Sequence, residues 1–202
     1  MSFWENTRKP AGLGGRLMVS AMNIGHRALA GWGRSFLTLP ADAKVLDCGC
    51  GGGANLRALL KKCPQGTVKG IDYSAVSATK AARLNGRAIA DGRCVVQQGS
   101  VAKMPFASAE FDAVTAFETV YFWPDLPQCF REVYRVLKPG GTLLICNESN
   151  GDTDKDKKWT EIIGGMTIYK DAELKTYLEQ VGFREIRMHR HKRGWLCVSA
   201  RK

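Results

Sequence analysis

The residues most capable of chemistry lie around one glycine-rich turn. Residues 45–54 read VLDCGCGGGA. An apolar run ends in Asp47, and Gly49, Gly51, Gly52 and Gly53 follow at once. Ordering so many glycines costs entropy, so such a loop needs bare backbone close to something. The stretch fits the G-x-G-x-x-G/A spacing, and a second carboxylate, Asp72, follows about 20 residues on, where it can accept both ribose hydroxyl hydrogens. A dinucleotide phosphate and a sulfonium nucleoside both answer to this pattern. Asp47 separates them. A pyrophosphate there would sit on a helix N-terminus, and the carboxylate beside it would repel it. A ligand with an ammonium end would be attracted, directly or through a water. S-adenosylmethionine has an ammonium, a sulfonium and a ribose.

These residues need strands and helices to hold them, and the sequence alternates the two. AKVLDCG reads as a buried strand and ANLRALLKKC as a helix closed by Pro64 and Gly66. TVKGIDYS is a second strand, followed by one alanine-rich helix over 75–90 with Ser74 as its N-cap. GRCVVQQGSV and FDAVTAFETV are a third and fourth strand. LPQCFREVYRVL is a helix with Phe130, Val133 and Leu137 on one face, and Lys138-Pro139-Gly140-Gly141 introduces a fifth strand, GTLLICNES. Such repetition gives an α/β fold with a parallel sheet covered on both faces. After a helix at DAELKTYLEQVG, two strand-like runs flank KRG, which predicts a tight hairpin and an antiparallel end to the sheet. Residues 1–40 form an N-terminal arm with one or two lid helices over roughly 14–37, and 41–202 form the main domain. Residues 149–170 start polar, become amphipathic, and are a second lid candidate.

The 202 residues suit one domain. The start, MSFWENTRKP, lacks an apolar h-region, and LMVSAMNIG is too short to span a bilayer, so a cytoplasmic protein is expected. Seven scattered cysteines form neither a disulfide framework nor a metal-ligand spacing, so no metal is expected. The net charge of +11 admits nucleic acid, an anionic surface or acidic small substrates. The densest basic run, RMHRHKR, lacks interleaved aromatics, which disfavours nucleic acid.

On these motifs the chain resembles class I S-adenosylmethionine-dependent methyltransferases, particularly the small-molecule branch with the ubiquinone/menaquinone-type enzymes. VLDCGCGGG, GIDYS, FDAVTAFETVYFWPD, LKPGGTLLI and ELKTYLEQVGF resemble successive family motifs, over about residues 41–200. The resemblance implies a Rossmann-like seven-stranded sheet of order 3-2-1-4-5-7-6 with strand 7 antiparallel. It also implies S-adenosyl-L-methionine as methyl donor, S-adenosyl-L-homocysteine as product, and binding outside the carboxyl ends of the strands. Asp47, Gly49, Cys50 and Gly51 then face the methionine part, Asp72 the ribose and Tyr73 the adenine. Phe117 and Glu118 end the fourth strand near the methyl-transfer centre. The family often has an acidic residue after the third strand, at the adenine amino group. Gly99-Ser100-Val101 stands there instead, leaving Ser100 or the backbone of Val101 to do that work.

Methyl transfer needs a nucleophile held in line and water excluded, and a base only where the acceptor must lose a proton. His26 from the lid, Glu118 and Tyr121 are the candidate catalytic groups. The rings of Tyr121, Phe122 and Trp123 either line a substrate pocket or anchor the next helix. A small-molecule acceptor is the expected substrate, and the basic charge admits an anionic one. An RNA or protein methyltransferase and a non-catalytic module that binds the donor are the alternatives.

Overall fold

The structure, a computed structural model, describes residue 14 and residues 25–152 and 154–202. Most of the expected N-terminal arm, including Leu17, Met18 and Met22, lies outside the described residues. In chain order the elements are α1 (Arg27–Ser35), β1 (Lys44–Cys48), α2 (Ala54–Lys62), β2 (Thr67–Asp72), α3 (Ala75–Leu84), α4 (Gly86–Ala90) and β3 (Cys94–Gln98). There follow β4 (Phe111–Phe117), a 3₁₀ turn (Val120–Phe122), α5 (Leu126–Val136), β5 (Leu137–Asn147), α6 (Asp154–Ile162), α7 (Asp171–Val181), β6 (Arg184–Arg190) and β7 (Leu196–Arg201).

The sheet order is β3-β2-β1-β4-β5-β7-β6. The first five strands pair in parallel, while β7 runs antiparallel to both β5 and β6. The central strands are buried on both faces, as crossover helices require. Leu46, Val114 and Ile145 face a core shared with α5 and α7. Val45, Ala113 and Leu144 face the opposite core, shared with α1 and α2. Helix α1 lies close on the sheet, since a Cβ on Gly33 would meet Cys146 Sγ at 2.6 Å and Phe117 at 2.9 Å.

Three local expectations are corrected. The helix over 75–90 is two helices, because the Asn85 side chain turns inward and donates to Gly53 O at 3.1 Å and Ala81 O at 2.9 Å. Leu137 opens β5 instead of closing α5, and β5 takes in the whole Lys138-Pro139-Gly140-Gly141 stretch. Residues 149–170 contain helix α6. Ser74 does cap α3, accepting from Ser77 N at 3.3 Å. All seven cysteines are buried and free. Among the described residues, no helix is long and apolar enough to cross a membrane.

Candidate active site

The glycine turn folds over the end of β2. Gly49 N and Cys50 N both donate to Ile71 O, at 2.7 and 3.1 Å. The glycines differ in what they leave bare. Gly49 has φ +73°, and a Cβ there would stand 2.0 Å from Thr119 Oγ1, so its missing side chain admits the loop after β4. Gly53 has φ +79°, and a Cβ there would stand 2.7 Å from Ala81 Cα, so it admits α3. Gly51 has φ +52° and open space where its Cβ would be. It alone of the three leaves backbone bare towards a ligand.

That space belongs to a cavity of about 610 Å³ at the carboxyl ends of the strands, within the range of small-molecule sites. Its floor holds two buried carboxylates. Asp47 stands opposite Thr115 in the register of β1 and β4. Its Oδ1 accepts from Thr115 Oγ1 at 2.6 Å and from Asn55 Nδ2 at 2.9 Å. Burial pushes its carboxyl up to about 6, against the pull of these two donors and of Arg34. Asp72 accepts from Gly51 N through Oδ2 and from Ser74 N through Oδ1, both at 2.9 Å. Burial raises it too, and the two N–H donors oppose the rise. Each Asp72 oxygen keeps a further lone pair.

Arg34 of α1 adds a cation. Its guanidinium donates to Asn55 Oδ1 at 2.6 Å, so Arg34, Asn55 and Asp47 form a polar chain along the cavity that ends on the buried Thr115. A zwitterionic amino-acid group fits between Asp47 and Arg34, a ribose diol fits Asp72, and the bare Gly51 backbone lies between. The residues present therefore fit S-adenosylmethionine.

Glu118 follows β4 with φ +57° and turns its carboxylate into the same cavity. Its Oε1 accepts from Tyr121 Oη at 3.3 Å and from Glu148 N. Burial, together with the nearby charge of Glu148, pushes Glu118 up to about 8, opposed by the hydrogen bond from Glu148 N. His26, at the start of α1, has its Nε2 3.8 Å from Glu118 Oε2 and 3.8 Å from Glu148 Oε2. Burial lowers its pKa, so the ring is neutral at neutral pH.

Of the residues singled out in the sequence, Asp47, Gly49, Cys50, Gly51, Asp72, Tyr73, Phe117, Glu118 and His26 line the cavity. Tyr121 does not line it. The ring is buried, its hydroxyl donates to Glu118 and accepts from Ser149 N at 2.9 Å, and it acts on the cavity through Glu118. Phe122 faces the cavity, whereas Trp123 packs on Phe130 in the core. Ser100 and Val101 are not among the lining residues. The Ser100 hydroxyl accepts from Ala102 N at 3.2 Å, and Val101 is in the core. Arg34, Asn55, Thr115, Thr119 and Glu148 were missed. A polar Thr115 inside the apolar run FDAVTAF was the one local signal available.

A seven-stranded sheet of this order, with its cavity at the carboxyl ends of β1, β2 and β4, defines a Rossmann-like α/β fold. The comparisons agree with that class. Residues 46–145 match the family model described as a methyltransferase domain. The cycloartenol-C-24-methyltransferase of Arabidopsis thaliana is 40% identical over 159 residues, which cover 74% of this chain and 47% of the relative. Cycloartenol-C-24-methyltransferase 1 of Oryza sativa subsp. japonica is 41% identical over 102 residues, covering 50% of this chain and 29% of the relative. The chain thus spans less than half the length of either relative. A chain of the Haloferax volcanii complex between the Trm112 methyltransferase activator and a methyltransferase superposes with a TM-score of 0.83 at 21% identity, covering 93% of each chain. That likeness concerns the fold. The chain belongs to the class I S-adenosylmethionine-dependent methyltransferases.

Proposed function

We propose that this protein transfers the methyl group of S-adenosyl-L-methionine to a small-molecule acceptor and releases S-adenosyl-L-homocysteine. The observation that carries this reading is the convergence of Asp47, Asp72 and the bare Gly51 backbone on one cavity. When bound, the donor supplies an electrophilic methyl on a sulfonium that is itself the leaving group. The protein then has three tasks. Asp47 and Arg34 hold opposite ends of the amino-acid group. Asp72 accepts from the ribose. Helix α1 and the loop after β4 cover the reacting atoms and keep water out, so that in-line approach supplies most of the acceleration. Where the acceptor must lose a proton, Glu118 and His26 are the groups within reach.

The acceptor we infer has an apolar body and an anionic group. Phe117, Phe122 and Leu29 offer apolar wall. Arg27, Arg57 and Lys61 stand on the same cavity, and none of their side chains has a hydrogen-bond or ion-pair partner among the described residues. The plant relatives are cycloartenol-C-24-methyltransferases, which supports a small apolar acceptor in place of RNA or protein. The test is a panel of sterols, fatty acids and aromatic carboxylates assayed for S-adenosyl-L-homocysteine release. Turnover should favour amphipathic anions, and Arg57→Ala with Lys61→Ala should raise KM for these alone. Turnover on tRNA or a peptide, with none on small molecules, would overturn the reading.

A further inference from the structure

We propose that His26, Glu118 and Glu148 form a site for one divalent transition-metal ion at the mouth of the cavity. The three ligand atoms come from three separate segments: the start of α1, the end of β4 and the end of β5. They lie within 4.8 Å of one another. Both His26 contacts measure 3.8 Å, beyond hydrogen-bond length. That spacing is informative. An imidazole beside two carboxylates, with nothing between them, should close on one of them to about 2.8 Å. Two ligands that share one ion, each at about 2.0–2.2 Å, stand roughly 3–4.2 Å apart.

The surroundings orient the ligands as an ion requires. Tyr121 Oη and Glu148 N both donate to Glu118 Oε1, which leaves Oε2 turned to His26. Such outer contacts fix a ligand's orientation. No lysine or arginine pairs with Glu118 or Glu148 among the described residues, although Arg27 lines the same cavity. Glu118 and Glu148 therefore face the His26 ring with no cationic side chain between them among the described residues. One nitrogen and two oxygens suit Mn²⁺, Fe²⁺, Co²⁺ or Zn²⁺ better than the all-oxygen shells of Ca²⁺ or Mg²⁺. Three protein ligands leave a coordination position open, and His26 and Glu118 are on the cavity wall. An acceptor oxygen taken up there would lie in the space that the donor shares.

The test uses the full chain and the metals alone. Mn²⁺ binding is followed by electron paramagnetic resonance and Co²⁺ binding by its visible absorption. One ion per chain is expected. Glu148→Gln and His26→Gln should each weaken it at least about 100-fold, more than the roughly 10–100-fold that an outer contact such as Tyr121→Phe costs. Glu148 is half exposed, so its variant keeps the fold, and S-adenosyl-L-homocysteine titration of the same sample checks the donor end separately. Absence of bound ion at millimolar metal, or equal affinity in the wild type and both variants, would overturn the site whatever the donor titration gives.

Discussion

The two ends of the cavity are built differently. At the donor end, Asp47, Gly51 and Asp72 lie within a short stretch of chain, and each is tied by hydrogen bonds of 2.6–2.9 Å. At the mouth, His26, Glu118 and Glu148 come from distant segments, and His26 Nε2 stands 3.8 Å from a carboxyl oxygen of each glutamate. The donor end is complete as a protein structure, while the mouth is arranged around something the chain does not supply. A common ligand can be recognised by one compact motif, whereas an acceptor site has to be assembled from loops.

The sharpest way to break this contrast is inside the glycine turn. Gly49→Ala forces a Cβ onto Thr119, whose Oγ1 also accepts from Trp123 Nε1 at 3.2 Å. Overpacking plus the left-handed φ should cost about 2–5 kcal/mol of stability. Gly51→Ala meets open space and should cost only about 1–2 kcal/mol, from φ alone, while weakening donor binding. Urea unfolding of both variants reads the difference, and equal losses would erase the distinction. Asp72→Ala comes next. It removes the ribose acceptor and frees Gly51 N and Ser74 N, so affinity for S-adenosyl-L-homocysteine should fall about 100-fold or more. Unchanged affinity would remove Asp72 from the site.

Asp47→Asn should separate stability from binding. The folded carboxyl sits at about 6, above its ordinary 3.8. The folded state therefore holds the proton more tightly, and the group's contribution is complete below about pH 4 and is lost as pH rises through 6. At neutral pH the buried charge costs on the order of 3 kcal/mol. The neutral isostere should raise the melting temperature at pH 7 and lose that gain at pH 4, while its donor affinity falls. Wild-type donor affinity should itself decline as pH drops below about 6. A melting temperature that falls in Asp47→Asn at pH 7 would contradict the electrostatic part. Smallest of all should be the effect of Glu148→Gln on donor binding, within about twofold by calorimetry, since Glu148 touches none of the donor-end groups.

The glycine turn was legible because its signals are local. An apolar run, a carboxylate and closely spaced glycines fix a strand, a turn and a helix start in sequence order. The sheet order was legible through the family resemblance, and the hairpin at KRG through spacing alone. Asn85 was not, because the helix there breaks on a tertiary bond to Gly53 O. The separate tasks of Gly49, Gly51 and Gly53 were hidden too, since neighbours that are remote in sequence, Thr119 and Ala81, decide them. Glu148 gave no sign at all. Its meaning depends on His26, which lies 122 residues away in the chain, and on the register of β4 with β5 that brings their ends together. Tyr121 was read as a catalytic group for its chemistry, and only its burial shows that it works through Glu118.

The central claim is that this cavity holds the methyl donor, and calorimetric titration of the full chain with S-adenosyl-L-homocysteine at pH 7.5 tests it most directly. Saturable binding of one ligand per chain, weakened about 100-fold or more in Asp72→Ala, is the expected result. No heat of binding at millimolar ligand, or binding indifferent to Asp72, would contradict it.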